Sequence, residues 1–270
     1  MLFRSLVLMR NCQLVRRQQR NQRNIWHDAV FKKGCRWHPF FISRKVNLLM
    51  KLAFIPADMP IQSIANDGFV APTRLDGEWL RQRLHQPPIW IPETTDEHLL
   101  ATMSTFKAAS VLIPLVLRDE GMSLLLTHRT QHLNNHAGQI SFPGGRVEVS
   151  DVSSIETALR EAQEEIGLDR QHVDVIGTLP QYRTATGYDV TPVVALIKPP
   201  FILTPDLFEV ASIFEVPLSF LMDAQNHQRR SLELPNGAGT RTFYAMPYQE
   251  HFIWGATAGM LRNLFHLMRA

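Results

Sequence analysis

Apolar positions along the chain gather into short runs separated by turn residues, with a helical rhythm at a few places. Ala109–Leu117 and Met122–Thr127 flank Arg118-Asp119-Glu120-Gly121, a pattern that predicts a β-hairpin with a glycine-bearing turn. Further strands are expected at Val173–Leu179, Asp189–Ile197 and Glu209–Val216. A second hairpin should pair Arg229–Leu234 with Thr242–Tyr248 across Pro235-Asn236-Gly237. Short amphipathic spacing predicts a helix from about Asp76 to Leu84, before a connector bearing Pro87, Pro88 and Pro92. Another helix should close the chain over about Ala256–Met268. Strands and helices interleave without strict βαβ alternation. The expected class is therefore α/β (or α+β), an α/β/α sandwich with a mixed sheet between helices.

The strongest helical signal lies between Ser153 and Gly167. Ser153 and Glu156 have the spacing of a capping box, and Gly167 stands where a left-handed residue ends a helix. Ile155, Leu159, Ala162 and Ile166 make an apolar stripe that should face the sheet. Glu161, Glu164 and Glu165 fall on the other side, spaced so that the first reaches both others. Clustered carboxylates repel one another unless cations neutralise them. Hard oxygen donors on a helix suit Mg²⁺ or Mn²⁺. Arg160 is placed to hold Glu164 four residues on. Taken alone, such a run is more often a solvated acidic face; the paired glycines, the Arg-Glu pair and the terminal glycine reverse that balance.

Composition and charge change the picture at the N-terminus. The 270 residues are 45% hydrophobic and 20% charged, ordinary values for a chain with a sizeable core. No apolar run approaches the ~18 residues of a membrane helix. The net charge of +3 conceals an asymmetry: residues 1–50 hold eleven Lys or Arg and one acid, Asp28. Subtracting these from totals of 28 and 25 leaves 17 basic and 24 acidic residues, a net of −7. The body is thus not expected to bind nucleic acid. Three readings of residues 1–50 stay open: an organellar presequence, a basic arm, or non-native sequence ahead of a start at Met50. Residues 51–98 form a helical, Pro-rich lead-in and 99–270 the main domain. Cys12 and Cys35, the two cysteines, both lie in the extension, which suits a reducing compartment.

Taken with its flanks, the helix has a name. Gly145, Arg160, Glu161, Glu164, Glu165 and Gly167, with Ala162 and Leu168 in hydrophobic slots, resemble the Nudix box. One departure is Asp151 in place of the first glutamate, with eight rather than seven residues before Arg160. That insertion is a feature of the coenzyme A-directed branch. Leu125-Leu126-Thr127-His128-Arg129-Thr130, continuing through Asn134 and Gly138 to Phe142-Pro143-Gly144-Gly145, is similar to that branch's second motif. Thr130 stands for Ser or Ala there, and Asn134 for Arg, which removes a charge able to bind a phosphate. Segments 214–218 and 253–258 also resemble this branch.

The resemblance implies a metal-dependent diphosphatase that cuts coenzyme A or acyl-CoA into 3′,5′-ADP and 4′-phosphopantetheine or its acyl form. Hydrolysis of ADP-ribose or a dinucleotide, or a catalytically silent binding module, are the alternatives. It implies Glu161 and Glu165 as metal ligands, joined by Glu164 as ligand or base and by the backbone of Gly145. Asp151 is expected to fix the loop or helix start. Glu209 is the candidate for an additional carboxylate, with Glu215 behind it. Arg129, Asn134, Gly144 and Arg183 are candidates for substrate binding, with Tyr188 bordering the same turn as Arg183. His128, His132 and His136 lack helical ligand spacing and are expected to be ordinary surface residues. The partner is a small molecule, a homodimer is left open, and the expected compartment is the cytoplasm, or an organelle if residues 1–50 are a presequence.

Overall fold

The computed structural model describes residues 55–94, 100–101, 103–133, 136–234 and 239–270. The basic extension, Asn134 and the expected turn at Pro235–Gly237 lie outside these residues. Strand β1 (Ile61–Ile64) comes first, then helix α1 (Gly77–His85), whose N-terminus is capped by the Asp76 carboxylate accepting from Trp79 N at 2.9 Å. Strands β2 (Lys107–Arg118) and β3 (Gly121–Arg129) form the expected hairpin. Two short strands, β4 (Ile140–Ser141) and β5 (Gly144–Arg146), precede α2 (Ser154–Ile166). Then follow β6 (Val173–Thr178), β7 (Tyr182–Arg183), β8 (Tyr188–Ile197), β9 (Val210–Pro217) and the single turn α3 (Leu218–Leu221). Strands β10 (Gln228–Glu233), β11 (Thr240–Tyr248) and β12 (His251–Trp254) lead into the closing helix α4 (Ala256–Arg269).

The larger sheet runs β4-β3-β2-β8-β6, with β5 added to β2, β7 to β8 and β9 to β3. Strands β2 and β8 are parallel from Lys107–Tyr188 to Val116–Ile197, while the other pairs are antiparallel. The sheet is therefore mixed. A smaller sheet, β1-β10-β11-β12, contains the second expected hairpin. Leu112, Val116, Leu125, Val193 and Ile197 pack beneath α2 on one face of the large sheet. Ile113, Leu115, Leu126 and Val194 join α4 residues Leu261, Leu264 and Phe265 in a second cluster. Helical layers thus cover both sides.

The lead-in contributes to this packing. Arg262, buried on α4, forms ion pairs with Asp67 and with Glu93, the latter at 3.0 Å. It also donates to Nδ1 of His227 at 3.2 Å. An arginine can only donate, so His227 is neutral and its Nε2–H donates to the Leu221 carbonyl at 2.7 Å. Arg74 donates to the carbonyls of Met268 and Arg269 at the end of α4.

Candidate functional site

The caps of α2 are those expected. Ser153 Oγ accepts from Glu156 N at 3.2 Å, and Gly167 closes the helix at φ 66°. A Cβ at Gly167 would meet Thr204 N at 2.9 Å, so both backbone handedness and the neighbouring loop select glycine. The buried face differs from the expected stripe. Thr157, Ala158, Ala162, Glu165 and Ile166 are buried, whereas Ile155 and Leu159 are only partly covered. Glu165 therefore belongs to the buried edge, its side chain 5% exposed, while Glu164 is 60% exposed. The three glutamates do not share one solvated flank, because the sheet end and β5 close over the last turn of the helix.

Two arginines organise the carboxylates. Arg160 binds Asp151 in a fork, Nε and Nη2 each 3.0 Å from a carboxylate oxygen. Its Nη1 reaches Glu161 at 3.0 Å and Glu164 at 2.9 Å, and Nη2 also donates to the Arg146 carbonyl at 3.1 Å. Asp151 further accepts from Glu148 N and Thr157 Oγ1, both at 2.9 Å. Its Arg160 partner holds the Asp151 carboxyl far below the usual range. Asp151 thus ties the loop to the helix. Arg129, at the end of β3, donates to Glu165 at 3.0 Å and to Glu209 at 3.3 Å.

Glu209 lies just before β9 and is brought to the cluster by its backbone: Thr130 N donates to its carbonyl at 2.9 Å. Glu215 points elsewhere, binding Arg118 at 2.6 Å and Ser123. Gly144 N donates to Glu165 at 3.2 Å. A Cβ on Gly145 would stand 2.3 Å from Glu161 Oε1, so a side chain there would push that carboxylate out of its place against β5. Burial pushes the Glu165 carboxyl up to about 7 against the pull of Arg129 and the Gly144 N–H, with Glu161 and Glu209 adding repulsion. Burial raises Glu161 as well, opposed by Arg160 and aided by Glu164 and Glu209. Among the described residues no three acidic, His or Cys side chains converge as a ready set of metal ligands. Glu161 and Glu165 instead face Arg160 and Arg129.

Arg183 is not part of this cluster. It stacks over Phe106 at 5.1 Å and lies 3.7 Å from Asp189, lining a cleft of about 500 Å³ with Leu100 and Gln181. His128 contacts the Gly138 carbonyl at 3.1 Å, His136 contacts Gln139 at 2.8 Å, and His132 packs edge-on to Phe208. Sequence reading did not single out Arg146, which binds the Tyr188 hydroxyl through Nε at 3.0 Å and Nη2 at 2.6 Å. Its place directly after Gly145 was the signal available.

Residues 107–215 match the model of the NUDIX domain. The chain is 41% identical over 158 residues to the uncharacterized Nudix hydrolase NudL of Escherichia coli K12, covering 58% of this chain and 81% of that protein. NudL of Enterobacter sp. strain 638 matches with the same identity and coverage. A solved Nudix hydrolase of M. smegmatis, RenU, is 23% identical with a TM-score of 0.37, covering 43% of this chain and 73% of that one; so loose a likeness carries no argument. Four fifths of a relative that shares two residues in five is decisive, and the chain belongs to the Nudix hydrolase family, enzymes that cleave diphosphate bonds.

Proposed function

We propose that the chain hydrolyses the diphosphate of coenzyme A or an acyl-CoA, yielding 3′,5′-ADP and 4′-phosphopantetheine or its acyl form. The observation that carries this reading is the join between two motifs. Arg129 and Gly144, both in the 125–145 segment that resembles the coenzyme A branch, bind the same Glu165 carboxylate of the box helix. The box supplies the reaction class, and the segment supplies the substrate.

The residues fit a divalent cation. Glu161 and Glu165 are oxygen donors whose burial raises both carboxyls despite Arg160 and Arg129, and the missing Cβ at Gly145 leaves backbone beside Glu161. In this reading Glu161 and Glu165 are the principal ligands for Mg²⁺ or Mn²⁺, with Gly145 contributing its carbonyl. Bound there, the ion neutralises diphosphate charge and acidifies a water. Arg160, anchored by Asp151, orients Glu161 and Glu164. Glu164, the most exposed of the three, joins the ligand set or takes the proton of the attacking water; Glu209 is the alternative base. Arg129, which now pairs with Glu165, would be free for the substrate's anionic oxygens when that carboxylate holds the ion. Arg183 and its cleft take part of the nucleotide. The enzyme then acts on small molecules in the cytoplasm, alone or as a homodimer.

Incubation of the purified protein with coenzyme A and Mn²⁺ should release 3′,5′-ADP, identified by chromatography and mass. Turnover of ADP-ribose or a dinucleotide with none of coenzyme A would overturn the substrate and keep the family. Absence of turnover on any of these would favour a binding module.

A further inference from the structure

Among the described residues, Arg129 and Arg160, the arginines that touch the box carboxylates, are already engaged by acids. Arg129 is shared by Glu165 and Glu209, and Arg160 by Asp151, Glu161 and Glu164. Arg146 differs. It is exposed, and among the described residues no carboxylate lies within ion-pairing distance of it.

Its guanidinium is nonetheless held in place. Nε and Nη2 donate to the Tyr188 hydroxyl, and the guanidinium carbon lies 5.5 Å from the centre of that ring. Tyr188 is fixed in turn: its N–H donates to Thr184 Oγ1 at 3.1 Å, and its carbonyl accepts from Thr184 N at 2.8 Å. An arginine has five N–H donors, and the hydroxyl engages two groups on one edge, so the outer edge remains available. Lys107, the cross-strand partner of Tyr188, is also exposed and without an ion pair among the described residues.

The location gives this cation its meaning. Gly145 faces Glu161, and the next residue along β5 turns its side chain to Tyr188. Successive side chains leave a strand on opposite faces, so an anion held by Arg146 lies across the edge strand β5 from the carboxylate cluster, within reach of a long substrate that wraps that edge. Beyond Met50 the chain carries a net −7, so a preorganised, acid-free cation here is not part of a general basic surface.

We propose that Arg146 binds a phosphomonoester that the substrate carries outside its scissile diphosphate. The inference rests on the coenzyme A reading, for which that group is the 3′-phosphate. A planar guanidinium pairs with phosphate through two parallel N–H groups, which a lysine cannot reproduce. It supplies from β5 the charge that the 125–145 segment lacks at Asn134.

The test compares coenzyme A with dephospho-coenzyme A, which keeps the diphosphate and lacks the 3′-phosphate, using the full chain and Mn²⁺. Wild type should prefer coenzyme A in kcat/KM. Arg146→Gln should raise KM for coenzyme A about tenfold with kcat changed far less. The loss on dephospho-coenzyme A should be several times smaller. Arg146→Lys should keep part of the preference, and Tyr188→Phe, which removes the anchoring hydroxyl, should lie between. Circular dichroism of each variant reports folding. Equal losses on both substrates, or a wild type indifferent to the 3′-phosphate, overturn the inference and leave the coenzyme A reading standing. Turnover of neither substrate overturns both.

Discussion

Acidification should weaken this protein through one buried histidine far from the carboxylates. His227 is fully buried, and burial, with Arg262 opposite its Nδ1, depresses its pKa from 6.5 to about 4 despite the Leu221 carbonyl on Nε2. A depressed folded-state pKa means that the unfolded chain takes up the proton first. The contribution of His227 is complete above about pH 6.5 and is lost as the pH falls toward 4. A gap of about 2.5 units corresponds to about 3 kcal/mol, of which about 2.5 kcal/mol is lost by pH 4.5. His227→Gln removes the titration while keeping a donor for Leu221 and an acceptor for Arg262. Urea unfolding of both proteins at pH 7.5 and 4.5 measures the effect. Other groups titrate here too: Glu93, held at about 2 against its burial by His266 and Arg262, loses its contribution at lower pH, and the raised Glu165 works in the opposite direction. They are common to both proteins and cancel in the difference. Wild type should lose about 2–3 kcal/mol more than the variant. Equal losses would show that His227 is not held neutral by Arg262.

The site makes its own predictions. Glu165→Gln should cut turnover at least about a hundredfold with the fold intact by circular dichroism. The same variant, metal-free, should gain stability relative to wild type as pH rises from about 4.5 to about 7, because it lacks the Glu165 contribution that favours the protonated carboxyl and offsets that of His227. Gly145→Ala should lower activity about ten- to a hundredfold and raise the metal concentration needed, since its Cβ would lie 2.3 Å from Glu161; unchanged metal dependence would remove Gly145 from the site. Glu209→Gln should slow turnover, whereas Glu215→Gln should alter melting temperature and leave kcat alone, because Arg118 and Ser123 hold Glu215 away from Arg129. Equal kinetic effects of the two would dissolve that distinction.

Much of the fold is legible in the chain because local rules and tertiary packing agree there. The β2–β3 hairpin, the caps at Ser153 and Gly167, the β10–β11 pair and α4 all appear within a few residues of expectation. Strands β1, β4, β5, β7 and β12 were not read, since four residues or fewer carry too little periodicity to stand out. The pattern also could not reveal that Asp67, Glu93 and Arg74 bind α4, because those contacts join residues more than 160 positions apart.

For the site, the order of residues alone carried the resemblance to the Nudix box and put Glu161, Glu164 and Glu165 on one helix, because helical spacing and the glycines around it are written in the sequence. Three-dimensional packing decided what each charge does. It buried Glu165, left Glu164 in water, drew Glu209 in by way of Thr130, and committed Arg129 and Arg160 to acids. It left Arg146 anchored on a tyrosine and open to an anion. Periodicity fixes the direction in which a side chain leaves its own strand or helix, but its charge is satisfied by residues that only the assembled sheet brings within 3 to 4 Å.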